Sequence, residues 1–475
     1  MSATTFGGAT TSIAVNIADN ITAPVARYAE RFHGGIGREH HVGSPLGAWL
    51  LLALCGPAST GRLREELTAA LGVDVQMAAA LAATLIGSRH PLVGAGAAVW
   101  THPQTNAEAL AGWVAGLPAA VERGDLPTQA QLDLWAKEHT LGLIAELPPL
   151  EARTMLVLAT VLATRVSWDQ PFDLAPARDL GPTSPWADRL SQVLRTPRAG
   201  AHVQFIAATE RAGDVAVHAA RAGASLVVTS VIAAPEVPPS DVFAAAYDLA
   251  TAIACGGRVA RLSLFDLPLG DRPLWKLTEQ PTTTTTADGR EERCTAVLPA
   301  WSARNDHNLQ NAVGFPTAAA ALAEILGLRR YEYTARQSVF AKYSRSGFEA
   351  AAITRTLTAL CAQPPKRDGV LRVAELRFGH PYAVVAVATD DRSRALIGAL
   401  QTNGPWHGVP VFSAWVAMPT DAGDTTDVGW PSRDESKGGR AGEKPTRRLA
   451  DSPSAAAETE SDSGAQPRRW WELWK

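Results

Sequence analysis

Cysteine is scarce in this sequence: its 475 residues hold four, Cys55, Cys255, Cys294 and Cys361, scattered far apart. No two have zinc-ligand or redox spacing, and so few exclude a disulfide-stapled scaffold, so reduced thiols are expected. An excess of one charge is also missing, since 44 Lys and Arg stand against 47 Asp and Glu for a net charge of -3. A nucleic-acid or acidic-membrane binder needs a concentrated basic surface, and neither class is expected. Long apolar runs are absent as well. The longest, 45–56 and 222–235, fall short of the ~20 residues of a membrane helix and read as core. The N-terminal MSATTFGGATTSIAVN has no basic residue ahead of its weak apolar stretch and so lacks a secretory layout. The expected location is the cytoplasm, with leaderless export as the alternative route.

Catalytic motifs are missing too. No G-x-S-x-G elbow occurs, so His33-Gly34-Gly35 has no nucleophile to serve, and His33 reads as a loop residue. The run Gly94-Ala95-Gly96-Ala97-Ala98 lacks the third glycine and downstream acid of a dinucleotide fingerprint. There is no P-loop and no H-E-x-x-H. His40-His41 has no carboxylate at metal-ligand spacing and reads as a surface pair. No catalytic residue, metal or cofactor is assigned, and a hydrolase is disfavoured.

Length alone suggests two or three domains. The pattern along the chain suggests another division. Residues 1–20 read as a flexible N-terminus, and 21–420 alternate apolar-periodic segments with turn signals. From Asp421 the aliphatic residues give way to Asp, Ser, Thr, Gly, Glu and Arg, so 421–475 is expected to be a disordered tail. It ends on Arg468, Arg469, Trp470, Trp471, Glu472, Leu473, Trp474 and Lys475, either a docking peptide for a protein partner or an uninformative sticky end.

Within the body, 45–72 reads as a buried helix and then a second one started by Ser59 and Thr60. Residues 129–147 read as an amphipathic helix and 317–328 as an Ala-rich one. Residues 155–168 have the composition of a strand covered on both faces. Further strands are expected at 224–234, 258–266, 296–302 and 409–419, with two more flanking Pro381. Residues 268–292, which include five threonines from Thr282 to Thr286, read as a loop insertion. Without a regular βαβ beat the class is α+β.

One segment stands out, 346–369. With period two, Phe348, Ala350, Ala352, Thr354, Thr356, Thr358 and Leu360 share a face; Glu349, Ala351, Ile353, Arg355, Leu357 and Ala359 share the other. Both charges fall on one side, and the opposite side is mostly small and uncharged. Such a strand could slide between others with its small face over a packed core. Ile353, Leu357 and Leu360 also fit helical spacing, so pattern alone leaves strand and helix open.

The segment resembles the reactive-centre loop of serpins, whose hinge reads Gly-x-Glu-Ala-Ala-Ala; here it is Gly347-Phe348-Glu349-Ala350-Ala351-Ala352. The resemblance runs along the chain in the family's order. Ser44-Pro45-Leu46, with Ala53, Leu54 and Gly56, is similar to the buried helix after the first strand. Trp135, Thr140, Gly142 and Ile144 are similar to the helix over the main sheet. Residues 156–172, ending Trp168-Asp169-Gln170-Pro171-Phe172, resemble the central strand and the tryptophan at its upper end. Leu298-Pro299, His380-Pro381-Tyr382 and Val411-Phe412-Ser413-Ala414 resemble later strands. Coverage is about 21–419, and the Ala-rich, Trp-containing style is similar to actinobacterial members.

The resemblance implies a serpin fold of three β-sheets with eight to nine helices and an exposed loop at about 345–372. It implies a monomer and a serine or cysteine protease as partner. That protease is trapped when the cleaved loop enters the central sheet, so the protein is not an enzyme. The sheet-opening region maps to Ser44, Thr160, Gln337 and Trp168. Four departures stand against inhibition. Phe348 replaces a small residue and should slow insertion. Arg345 stands where the family has an acid. Of the family's Asn, Ser and His cluster, aligned with Thr160, Ser44 and Gln337, only Ser44 matches. The loop also runs long, to Arg372. Family loop length puts the attacked bond at Cys361-Ala362, with Leu360 as neighbour; Cys361 could instead act as a redox-sensitive thiol. Cutting at Lys366-Arg367 would give substrate behaviour.

Overall fold

The computed structural model describes residues 17–347, 366–389 and 404–423, apart from 141, 152, 165, 198–201 and 224. Helix α1 (Ile17–Gly34) begins inside the stretch read as a flexible N-terminus and leads to β1 (His41–Gly43) and α2 (Pro45–Cys55). Ser44 Oγ accepts from the Gly47 N–H at 3.1 Å, and Pro45 fills the first turn, two features that start a helix. Every α2 residue except Leu51 is buried. Helices α3 (Gly61–Leu71) and α4 (Val75–Ile86) pack beside it. Next come β2 (Val93–Thr101), α5 (Ala107–Gly116), β3 (Glu122–Asp125), α6 (Gln129–His139) and β4 (Leu156–Thr164). Helix α6 is shorter than its apolar period suggests. Thr140 Oγ1 donates back to the Ala136 carbonyl and accepts the Ile144 N–H, and Gly142 turns at φ 78°.

Strands β5 (Asp173–Pro176), β6 (Gln192–Arg195), β7 (Val203–Thr209), β8 (Gly213–Ala222) and β9 (Leu226–Ile232) precede α7 (Pro239–Ala254). The chain then forms β10 (Gly270–Asp271), β11 (Trp275–Thr284), β12 (Arg290–Leu298), β13 (Trp301–Asn308), α8 (Phe315–Ile325) and β14 (Arg336–Tyr343). It closes with β15 (Arg367–Arg377), β16 (Tyr382–Ala388) and β17 (Val409–Val416).

Two expectations fail here. Residues 258–266 form no strand; Arg261 makes a single bridge to Ala207, and Leu264–Asp266 is a 3-10 turn. The insertion read as a loop contains β10 and β11. Because β11 gives the next strand a partner, β15 starts at Arg367, not after Arg372.

The first sheet has the order β1-β17-β16-β9-β8-β7. Its central strands β9, β16 and β17 are buried throughout, which explains their continuous apolar runs. Ala383, Val385 and Val387 face α7, while Val384, Ala386 and Ala388 join the main core with α2. The second sheet has the order β10-β11-β15-β12-β6-β5. The third, expected as one sheet, is present as two parts among the described residues, β3-β2-β4 and β13-β14. On β4 the odd residues Val157, Ala159 and Val161 pack with Trp135 and Ala136 of α6; Leu156, Leu158 and Leu162 face the main core. No single described helix is long and apolar enough to cross a membrane.

Candidate functional site

The site is the divide in the third sheet. Strand β4 pairs with β2, and β14 with β13; among the described residues no ladder joins β4 to β14. Two side chains tie these strands to the start of α2. From β14, Gln337 accepts the Ser44 N–H at 3.0 Å and donates Nε2 to the Ser44 carbonyl at 2.8 Å. From β4, Thr160 donates Oγ1 to the Gly47 carbonyl at 3.1 Å. Ser44 itself donates Oγ to the Val411 carbonyl of β17 at 2.9 Å. The structure thus brings Ser44, Thr160 and Gln337 to one helix end, with amide and hydroxyl groups spanning the divide. Gln337→Leu would strip both partners from the Ser44 backbone. We expect a loss of about 1–3 kcal/mol, read as a lower urea midpoint at unchanged m-value.

At its upper end the divide is bridged. Ser167 and Gly347 form an antiparallel bridge, and the Trp168 N–H reaches the Ser346 carbonyl at 3.3 Å. The Phe172 N–H donates to the Arg345 carbonyl at 3.0 Å, and Arg345 Nε returns to the Phe172 carbonyl at 3.0 Å. Trp168, 2% exposed, donates Nε1 to the Ser344 carbonyl at 2.9 Å, with its ring 4.8 Å from Tyr343. Gly347 has φ 80°, where L side chains are strained. An added Cβ would meet the Val166 carbonyl oxygen at 2.3 Å. Below the bridge lies a cavity of about 60 Å³, bordered by Thr164, Val166, Trp168, Phe340 and Tyr343. Burial pushes the Tyr343 phenol up, with Ser230 opposing. Phe348, Glu349, Ala350, Ala351, Ala352, Leu360, Cys361 and Ala362 lie outside the described residues, as does the tail beyond Gly423.

The sequence reading missed a buried relay next to this site. His33 is in α1, not a loop, and His41 is fully buried, so His40-His41 is no surface pair. The Glu39 carbonyl can only accept, so His41 Nδ1 carries a proton toward it at 2.8 Å. His41 Nε2 then accepts from His33 Nδ1 at 2.7 Å. His33 Nε2 accepts from Ser413 Oγ at 2.6 Å, and Tyr247 donates to that oxygen at 2.9 Å. The Phe243 ring stacks on His33 at 4.0 Å. Both imidazoles are neutral in this order. Burial lowers His33 well below its ordinary value, with His41 and His307 adding to it; burial also lowers His41 to about 4, against the Glu39 carbonyl and helped by His307 and His40. One signal was available: Val25, Ala29 and His33 share a helical stripe at i, i+4, i+8.

No family model matches the chain, and no curated protein matches it. Solved structures do. A thermophilic serpin, tengpin, in its native state is similar at 11% identity and TM-score 0.53, over 84% of this chain and 94% of that one. Thyroxine-binding globulin in complex with thyroxine is similar at 13% identity and TM-score 0.51, over 85% and 100%. The Arabidopsis AtSerpin1, in a native stressed conformation, is similar at 12% identity and TM-score 0.52, over 85% and 99%. This chain therefore has the serpin fold, of mixed α and β content with eight helices among its described residues.

Proposed function

We propose that the chain inhibits a serine or cysteine protease by trapping it. The protease nucleophile attacks the carbonyl of the residue before the cut, with Cys361-Ala362 the candidate bond and Leu360 the neighbouring choice. An ester or thioester forms, the peptide C–N bond breaks, and the departing amine takes up the proton lost by the nucleophile. The freed segment then enters the divide between β4 and β14 as a strand. The inhibitor is consumed, so it is not an enzyme, and no cofactor takes part.

The observation that carries this reading is the Ser167–Gly347 bridge, because it sets a register. In the proposed inserted form, continued antiparallel, Phe348 would stand opposite Val166, Thr354 opposite Thr160 and Thr358 opposite Leu156. Side chains opposite one another share a face. Ala350, Ala352, Thr354, Thr356 and Thr358 therefore turn to the core side with Leu158 and Leu162, and Glu349 and Arg355 turn to the α6 side. A slip of one residue would bury both charges.

In that register Phe348 would enter on the inner side, over the cavity of about 60 Å³. An apolar cavity that takes up benzene is about 150 Å³, well over twice as large. The ring should therefore slow entry and divert part of the protease to plain cleavage. The test mixes the protein with elastase-, chymotrypsin-, trypsin- and subtilisin-like proteases and looks for a complex that survives denaturing gels. Phe348→Thr is expected to raise the complex yield several-fold. Cleavage without complex in every case, with no rise in Tm of the cut form, would favour the second reading, a non-inhibitory binding protein. That reading is supported by the bulk at Phe348 and by Arg345, which occupies the Phe172 carbonyl.

A further inference from the structure

The segment 268–292 was read as a loop, yet it carries the longest ladder in the second sheet. Strand β11 pairs antiparallel with β15 at ten positions, from Trp275 opposite Leu376 to Thr284 opposite Arg367. On its other side β15 pairs parallel with β12, from Val370 opposite Arg290 to Arg377 opposite Val297. The 285–289 turn joins β11 to β12 around the start of β15. It holds that start directly: the Val370 N–H donates to the Gly289 carbonyl at 2.8 Å, and Arg367 Nη1 to the Ala287 carbonyl at 2.9 Å. A Cβ at Gly369 would lie 2.4 Å from the Gly289 carbonyl oxygen, so the fit is close.

Side chains add to the grip. Arg372 of β15 bonds Glu279 of β11 at 2.9 Å and the carbonyls of Leu264 and Leu267 at 2.8 and 3.1 Å, with its guanidinium 4.7 Å from the Phe265 ring. At the far end Arg377, 7% exposed, reaches Asp271 of β10 at 2.5 Å. Both acids come from the inserted arm. Beyond its pairing with the two-residue β10, β11 forms the new edge there and carries Pro281 in a run of polar residues, the composition of a protected edge.

The topology gives this grip a consequence. Arg377 lies in one row with Val297, Arg195 and Asp173, next to Phe172 at the top of the β4–β14 divide. Strand β12 leads into β13 through Pro299 and Ala300, and no ladder joins the two among the described residues. Strand β13 descends from Trp301, level with Tyr343 at the top, to Asn308. Strand β15 runs parallel to β12 and reaches this row at Arg377, so Arg367 lies roughly 33 Å along the strand from the top of the divide. Filling the divide from Phe348 to Thr358 takes an uncut chain roughly 36 Å downward. The eight residues 359–366 can span at most roughly 29 Å. That is less than the way back to the top, so full entry without a cut must draw residues out of β15, starting with the stretch from Arg367 to Arg372. Those are the residues held by Glu279–Thr284, the 285–289 turn and the Arg372 clamp.

We propose that β10, β11 and the 285–289 turn form a clasp on β15 that makes entry of the 348–365 segment into the divide conditional on cleavage. An edge strand would peel by losing one ladder; here two must break together. The inference rests on the insertion reading above, and its test separates the two.

Pro281 has no N–H, so its bonding edge faces away from β15, and alternation turns the N–H groups of Gln280 and Thr282 toward it. The double variant Gln280→Pro/Thr282→Pro changes two residues that are not buried and weakens only this ladder. Uncut full-length chains are warmed, and conversion is followed as loss of protease sensitivity in 348–365 at intact mass, with a rise in Tm. Wild type should stay sensitive, and the variant should convert about tenfold faster or more, the equivalent of a lost ladder bond in the barrier. Glu279→Ala, which removes one Arg372 partner, should give a smaller acceleration and serves if the double variant does not fold. Hydrogen exchange at 367–372 should be slow in wild type and fast in the variant. Equal conversion rates, or edge-like exchange at 367–372 in wild type, would overturn the clasp. If the cut wild-type chain gains no stability, the insertion reading fails instead, and the exchange at 367–372 still decides whether β15 is gripped.

Discussion

A Gly347→Val chain should still be cut in the 348–365 segment but should yield almost no covalent protease complex. Gly347 is the last described residue before that segment and the first to pair across the divide. Its φ of 80° turns the chain from the end of β14 back toward Ser167. A β-branched side chain is strained there, and its Cβ would collide with the Val166 carbonyl oxygen at 2.3 Å and Ser167 Cα at 2.9 Å. Both obstacles are backbone, so no side-chain rotation relieves them. The chain must leave the bridge, at about 1–3 kcal/mol in the native form. It also loses the start from which the register runs. Entry then competes with deacylation from an unaligned position, and the protease escapes. The readouts are complex yield on a denaturing gel and Tm; wild-type yield from Gly347→Val would show that entry does not begin at this bridge. Gly347→Ala keeps the clash but less of the strain, so its yield should lie between the two.

The period-two pattern of 348–358 and the register of the Ser167–Gly347 bridge agree without having been fitted to one another. On the insertion reading proposed above, small residues alternate because one face must pass over a core, a demand that would be written locally in the chain. Helix α2 was legible for a similar reason, being apolar all round because it is covered all round. Strand β11 was not. Beyond its short pairing with β10 it is bonded on one edge and faces solvent over most of its length, so four threonines, Pro281, Glu279 and Gln280 satisfy it. The same composition describes a loop. What makes it a strand is β15, some ninety residues later, and no local pattern carries that partner. Gln337 and Thr160 could be placed only through the resemblance, because each acts on a backbone group distant in sequence. His41 was misread because a polar pair in a polar stretch looks exposed; its ring is covered by His33, Phe243 and His307 on other elements.

That relay should make the fold acid-sensitive above the range where carboxylates titrate. His41 is lowered from 6.5 to about 4, and His33 is lowered well below its ordinary value, both chiefly by burial. His307 is lowered too, with Asp306 pulling upward; it donates to the Val42 carbonyl and stands opposite Gln337 in the β13–β14 ladder. In the unfolded chain these imidazoles take up protons near pH 6.5, while in the folded chain they resist. The unfolded state therefore binds more protons as pH falls, and stability drops. It is full above pH 6.5, declines from there toward pH 4, and for His41 alone the loss is about 3 kcal/mol. Protonating either ring also removes an acceptor: His41 Nε2 could no longer receive His33, nor His33 Nε2 receive Ser413. Ser413 is two residues from Val411, whose carbonyl holds Ser44, so the disturbance would reach the α2 end that ties β4 and β14. Urea midpoints measured between pH 7 and 4.5 should fall steadily, ahead of carboxylate titration. A His41→Gln chain should start less stable at pH 7 and show a shallower slope across that window. Parallel curves for the two chains would mean that His41 is not among the groups that resist the proton.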